Sequence, residues 1–220
     1  MDPESIITII TSVLAIIISC YSVWYTKFRK GKLQFNCTRW TAIGLQVKDQ
    51  NNTFIGATIA LDISIVNDGA KPKLVKDFLL FANTSTGKEI VYSPVMIFDI
   101  TNYASTLGGN NRIGKAQKGL VPLPALVQEQ SSYKFEKEIL FMPLDKKTAI
   151  NVQSDPPCTL KLYALIDDEK DYELISTQTV ESKDIGQLKN GSFSSFESNV
   201  ATSNRESFIN KLQKTANKAN

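Results

Sequence analysis

The chain has 220 residues, of which 42% are hydrophobic and 21% charged, and its formal net charge is +3. This apolar fraction excludes a wholly disordered chain, and 11 glycines and 8 prolines are too few for a fibrous protein. The sequence contains no histidine and only three cysteines, which excludes mechanisms that need a histidine base and any framework of disulfides.

The first predicted element is a membrane-spanning helix over residues 5–26, a stretch without a charged side chain. At about 1.5 Å per residue it would be about 33 Å long, enough for a hydrocarbon core of about 30 Å. Tyr21, Trp24 and Tyr25 lie near its end, where aromatic side chains suit lipid headgroups. A cleaved signal peptide is the alternative. The acidic start of the chain, and the aromatic and basic residues after the apolar stretch, favour an uncleaved span.

One face of this predicted helix carries only small residues. They recur at alternating intervals of three and four positions: Ser5, Thr8, Ser12, Ala15, Ser19, Ser22 and Thr26. A repeat that averages 3.5 residues keeps one face aligned with a neighbouring helix, and small residues let two backbones approach closely in lipid. We therefore expect the span to pack against another helix, either its own copy or a partner's. The alternative is that the hydroxyl groups bond only to their own helix backbone.

A basic segment, residues 27–32, follows the span and contains Lys27, Arg29, Lys30 and Lys32. By the positive-inside rule this segment predicts a single-pass protein with its N-terminus outside and everything after residue 27 in the cytoplasm. The same side chains can also contact anionic lipid headgroups.

From residue 33 to residue 182 the hydrophobic period changes to two, which predicts an antiparallel all-β domain. Apolar and polar residues alternate, with turn signals between the segments, at residues 33–38, 43–48, 58–66, 133–141 and 160–166. About seven to nine short strands without a long helical period predict a β-sandwich.

One part of this domain carries a family resemblance. Residues 61–69 read Leu-Asp-Ile-Ser-Ile-Val-Asn-Asp-Gly, and residues 74–80 return as a strand. An alternating strand that ends in Asn-x-Gly and returns across the sheet resembles the second and third strands of bacterial immunoglobulin-like domains of the CARDB-like type. The resemblance implies an immunoglobulin-like sandwich that binds a ligand rather than catalysing a reaction. The usual extracellular setting of that family conflicts with the cytoplasmic orientation predicted above.

Residues 102–124 fit the strand pattern least well and predict a long exposed loop. Residues 109–115 match Gly-x-x-x-x-Gly-Lys, but Ala116 stands where a phosphate-binding loop needs Ser or Thr, and no helical pattern follows. We instead interpret Arg112, Lys115 and Lys118 as an interaction loop for anionic headgroups or an acidic partner.

No pattern in the sequence predicts a catalytic residue, a bound cofactor or a metal site. The acidic run at residues 167–171 lacks the spacing of a calcium loop and predicts a solvated hairpin turn. Cys37 alternates in phase with the apolar residues of its strand, so we expect it in the core. Cys20 and Cys158 have no histidine base that could activate them, so they are interpreted as structural thiols.

Residues 183–220 predict a polar basic tail. Within it, residues 204–217 have the pattern of a short helix suited to docking on a partner or a membrane surface. The alternative, which the short apolar face favours, is a frayed tail. Together the patterns predict a membrane-anchored, non-enzymatic adaptor or accessory subunit whose cytoplasmic sandwich binds a protein. The alternatives are an exported membrane-anchored binding module and an enzyme without a recognisable motif. The expected partners are the membrane and a protein or second copy of the chain. Nucleic acid is not expected, because residues 33–182 carry 15 basic and 17 acidic side chains.

Overall fold

The computed structural model describes residues 2–28, 31–48, 53–105, 116–145, 148–167 and 169–197. It begins with helix α1 (Pro3–Lys27), and two short helices follow later, α2 (Ile100–Ser105) and α3 (Ser182–Ile185). The remaining elements are strands: β1 (Leu33–Lys48), β2 (Thr53–Asn67), β3 (Lys73–Thr84), β4 (Glu89–Phe98), β5 (Gln117–Gly119), β6 (Ala125–Val127), β7 (Ser131–Lys134), β8 (Glu138–Pro143), β9 (Ile150–Asn151), β10 (Cys158–Ile166), β11 (Glu173–Val180) and β12 (Phe193–Glu197).

These strands form one antiparallel sheet, whose main path runs β11-β10-β3-β4-β8-β2-β1-β12. The short strand β5 pairs with β4, β6 pairs with β3, and β7 and β9 both pair with β2. The sheet curls until β11 lies against β1, which brings Ser176 close to Cys37. The predicted all-β class is confirmed, and the sandwich is a continuous sheet folded over on itself.

The main core fills the inside of this curl. Trp40, Leu61, Phe78 and Phe141 are fully buried there. They come from four different strands. They share one core because alternate residues of a strand point to the same face of the sheet. Phe78 also makes an edge-to-face contact with Phe135, with ring centroids 6.1 Å apart.

A second, smaller core lies on the outer face of the sheet, under α2. Ile43, Ala60 and Leu140 point outward into it, and Tyr103 of α2 covers them. The Tyr103 hydroxyl donates a hydrogen bond to the Gly191 carbonyl at 2.6 Å. The prediction of an exposed loop over residues 102–124 is therefore wrong at Tyr103 and Ala116, which are buried against the sheet. Residues 106–115 lie outside the described residues.

The strand boundaries differ from the predicted ones in two places. The segments predicted at residues 33–38 and 43–48 are one long strand, β1, with a bulge between Cys37 and Arg39. The segment predicted at residues 133–141 is divided into β7 and β8, which pair with successive parts of β2.

The domain extends beyond the predicted boundary at residue 182. After α3, strand β12 pairs antiparallel with β1, so that Phe196 lies opposite Trp40. The Ser-rich sequence of β12 predicted a polar tail, but an edge strand buries little and needs few apolar residues. The helix predicted over residues 204–217 lies outside the described residues.

Candidate functional site

Helix α1 is long and apolar enough, by length and composition, to cross a membrane, and its apolar stretch is not buried within the protein. Pro3 at its first turn, Glu4 just after it and Lys27 in the last turn suit the two ends of a helix. The exposed apolar side chains on every side of α1 therefore need lipid or another helix around them.

The stripe of small residues follows one side of α1. The Thr8 hydroxyl donates to the Glu4 carbonyl at 2.9 Å, and the Ser12 hydroxyl donates to the Thr8 carbonyl at 2.8 Å. The protons of Thr8 and Ser12 are used within the helix, so these two residues offer close backbone approach rather than donors for a second helix. Packing through this face stays a prediction. The side chain of Thr26, the last residue of the stripe, lies outside the described residues.

The C-terminal end of α1 carries the predicted aromatic residues. The Tyr21 ring has its centroid 6.1 Å from those of Trp24 and Tyr25, and Lys27 follows two positions after Tyr25. Aromatic rings followed by basic side chains are typical of a membrane–water interface. Two of the predicted basic residues, Arg29 and Lys30, lie outside the described residues.

A closely packed junction holds the residues directly before β1 against the turn between β2 and β3. Gly31 lies so close to Gly69 that a Cβ on Gly31 would overlap the Gly69 backbone. The Lys32 N–H donates to Asp68 Oδ1 at 2.8 Å. Lys32, predicted as a basic juxtamembrane residue, is therefore also tied through its backbone to the turn between β2 and β3.

Asn67 holds this turn from inside the domain, where it is 1% exposed. Its Nδ2 group donates to the carbonyls of Lys71, Val127 and Gln128, at 2.8, 3.2 and 3.1 Å. Its Oδ1 atom accepts the Gly69 N–H at 3.0 Å. One buried amide thus fixes the β2–β3 turn against the connection between β6 and β7. The sequence identified Asn67 only as part of a turn signal.

Asp99 anchors α2 at the outer face of the sheet. Its Oδ1 atom accepts the Asn102 N–H at 2.9 Å, as an N-cap residue does. That hydrogen bond holds the pKa of Asp99 below its usual range, burial opposes the shift, and the charges of Lys137 and Lys118 add to it. Asp99 is therefore a carboxylate at neutral pH.

Only one residue of the predicted interaction loop is described. Lys118 lies with its Nζ atom 3.6 Å from Asp99 Oδ2. It therefore helps to hold α2, which Asp99 caps, against the outer face of the sheet. Arg112 and Lys115 lie outside the described residues, and the interaction they were predicted to make is untested.

Other charged side chains close to Asp99 also form ion pairs. The Arg39 guanidinium bonds to the Glu138 carboxylate, which is 5% exposed, and Lys134 pairs with Asp62 at 3.3 Å. With Glu136, the cluster holds four acidic side chains (Asp62, Asp99, Glu136 and Glu138) and four basic ones (Arg39, Lys118, Lys134 and Lys137), so it has no excess of either sign with which to attract an ion. We interpret it as a structural network.

An open apolar groove of about 610 Å³ lies farther along the outer face of the sheet. Its lining includes Leu45 and Val47 of β1, Gly56 of β2, Val95 of β4 and Met142 of β8. Met142 also packs against the second core, so the groove continues that apolar face beyond α2. Its volume falls within the range of about 300–1,000 Å³ typical of ligand sites. The sequence did not reveal it, because its residues alternate just as core residues do.

Gly56 keeps the floor of this groove low. A Cβ at Gly56 would be 2.6 Å from Val47 Cγ2 and 2.8 Å from the Ala149 Cβ atom. Any other residue would therefore push these neighbours aside.

The two thiols of the domain, Cys37 and Cys158, are buried and unreactive. Burial raises the pKa of Cys37 and of Cys158 to about 12, and the nearby charges of Asp155 and Asp184 add to the shift at Cys158. Both thiols are protonated at neutral pH, whereas a nucleophile needs the thiolate. The predicted burial of Cys37 is confirmed, and Cys20 is exposed on α1.

The acidic run forms the turn between β10 and β11, as predicted. Asp167 Oδ1 accepts the Leu74 N–H at 2.7 Å, which fastens the turn to β3. Asp168 lies outside the described residues. Within the described ranges, no group of three His, Cys, Asp or Glu side chains is placed to hold a metal ion.

Comparison with known protein families finds no matching family model, and a search of curated proteins finds no match either.

Proposed function

We propose that the chain is a membrane-anchored, non-enzymatic adaptor or accessory subunit whose all-β domain lies in the cytoplasm. The observation that carries this proposal is the exposed apolar helix α1, followed closely along the chain by a folded domain whose first residues are held by the packed junction at Gly31 and Gly69. A short connection of this kind keeps the domain close to the membrane surface. The basic segment that follows the span supports the cytoplasmic orientation.

In this proposal, α1 pairs with another helix through its small-residue stripe, and a protein partner adds a strand to the edge of the sheet at β12. Among the described strands, none pairs with the side of β12 that faces away from β1. An open strand edge of this kind accepts an extended segment by backbone hydrogen bonding.

Site-specific photocrosslinking in intact membranes tests both contacts. A photoreactive residue at Ala15, on the stripe, and one at Ser195, on β12, are each expected to join the chain to a protein. The matched controls are Ile17, on the opposite side of α1, and the exposed turn residue Lys88, which are not expected to do so. Leucine at Ser12 and Ser19 is expected to remove the Ala15 adduct. Adducts with lipid alone at Ala15, together with none at Ser195, would contradict the proposal.

A further inference from the structure

The apolar groove on the outer face of the sheet is not used by the proposed contacts of α1 and β12. We propose that it binds one unesterified fatty acid, whose hydrocarbon chain lies in the groove and whose carboxylate pairs with Lys48. The direction of the groove, the character of its lining and the position of its charge support this ligand. The inference does not depend on the proposed function.

The groove runs across the strands rather than along one of them. Its lining comes from β1, β2, β8 and β4, which are consecutive neighbours in the sheet. Three gaps of about 4.8 Å between neighbouring strands give a length of about 14 Å. An extended saturated chain advances about 1.25 Å per bond, since each bond is about 1.5 Å long and the bond angle is about 111°. The groove therefore has the length of one chain of about twelve carbons.

The lining suits a hydrocarbon chain better than an extended peptide. Leu45, Val47 and Met142 present apolar side chains to the groove. The strands that carry them already pair with one another, with Leu45 opposite Gly56 and Ser93 opposite Met142. A peptide lying across them would therefore leave many of its own N–H and C=O groups without partners, which is costly in an apolar site. A fatty acid chain has no such groups.

The charge of the groove lies at one end. Among the described residues that line it, Lys48 is the only charged one, and it is exposed at the end of β1. Within the described ranges, Lys48 forms no ion pair with the protein itself. A basic side chain at one end of an apolar track matches a ligand with one chain and one carboxylate. A phospholipid, which has two chains, matches it less closely.

Methyl NMR tests the site in the full-length protein, labelled at its methionine methyl groups and held in nanodiscs of zwitterionic phospholipid. The chain has three methionines. Met142 lines the groove, and Met96 packs against the second core, so its signal reports whether the domain is folded. Laurate, a fatty acid of twelve carbons, is expected to shift the Met142 signal in a saturable way. The variant Met142→Leu assigns that signal.

Lys48→Gln tests the contact with the carboxylate. It is expected to weaken laurate binding about fivefold, which corresponds to one exposed ion pair of about 1 kcal/mol. Binding of dodecanol, which has the same chain but no charge, should not change. Lys170→Gln, in the exposed turn between β10 and β11, is the matched control and should alter the binding of neither ligand.

A charge at the rim tests whether the chain itself lies in the groove. Leu144 lines the groove and is 65% exposed, and Leu126 is 50% exposed outside it, so glutamate at either position leaves the cores intact. Leu144→Glu is expected to weaken the binding of both laurate and dodecanol about tenfold, because it replaces an apolar contact with a charge. Leu126→Glu is expected to have no effect.

Three results would overturn the inference. The first is a Met142 signal that laurate does not move while the Met96 signal shows a folded domain, which would leave the groove to a protein. The second is equal affinity for laurate in Lys48→Gln and the wild type. The third is a Met142 shift caused by nanodiscs of anionic phospholipid alone and not reversed by laurate, which would assign the groove to a phospholipid.

Discussion

At the residue scale, Asp99 combines helix capping and charge pairing in one buried carboxylate. Because the pKa of Asp99 is lowered in the fold, the carboxylate stabilises the folded state above the ordinary aspartate pKa of about 3.9. That stabilisation is lost as the pH falls through the lowered pKa. Asp99→Ala is expected to lower the free energy of unfolding by about 1–2 kcal/mol at pH 7.

Asp99→Asn separates the two effects, because asparagine caps a helix about as well as aspartate does. We expect it to cost less than Asp99→Ala at pH 7, and its deficit relative to the wild type should shrink at pH 3. Urea unfolding in micelles, followed through the buried Trp40 in a Trp24→Phe background, measures both variants. A deficit that is the same at pH 3 and pH 7 would show that the charge of Asp99 contributes nothing.

Individual residues differed in how well the sequence predicted them. Cys37 was placed correctly in the core, because its position in an alternating strand fixes the face on which it lies. The role of Asn67 could not be predicted. The carbonyls of Val127 and Gln128 that it binds are 60 and 61 positions away along the chain, and only the folded sheet brings them together.

At the scale of elements, the junction of Gly31 and Lys32 with the β2–β3 turn fixes the start of β1. A Cβ at Gly31 would overlap Gly69 and Asp68, so Gly31→Ala is expected to push the two segments apart. The Lys32 N–H then loses Asp68 as its acceptor, and its hydrogen exchange should become at least about tenfold faster, a loss of about 1.4 kcal/mol of protection. Exchange in the main core should not change.

Hydrogen exchange followed by mass spectrometry in micelles measures this effect in peptides that begin at or before Phe28 and extend past Lys32. Gly87→Ala is a control for backbone strain far from this site: nothing lies within 4 Å of a Cβ there, but a φ of +78° disfavours alanine, so it should alter exchange only near the β3–β4 turn. Unchanged protection of Lys32 in Gly31→Ala would mean that the junction is not held by this contact.

The elements themselves were predicted where the hydrophobic period is strong. The central strands β2 and β10 lie where alternation predicted them. Strand β12 was missed, because it is short, Ser-rich and placed at an edge. Helix α2 was missed, because its six residues, which include Tyr103 and Ala104, show neither a helical nor a strand period.

At the scale of the whole molecule, the sequence predicted an all-β domain behind an apolar helix but not how the sheet closes. Closure depends on pairing between distant strands, such as β3 with β10 and β1 with β12, and no local pattern encodes those partners. The apolar groove was hidden for the same reason, since only the placement of α2 shows which part of the outer face stays open.

The central claim is that α1 crosses the membrane and holds the domain on the cytoplasmic side. The most direct test fuses a fluorescent protein or alkaline phosphatase separately after Asn220 and measures both signals in living bacteria. The account predicts fluorescence without phosphatase activity, with the protein in the membrane fraction. Phosphatase activity without fluorescence would contradict the orientation and favour an exported binding module.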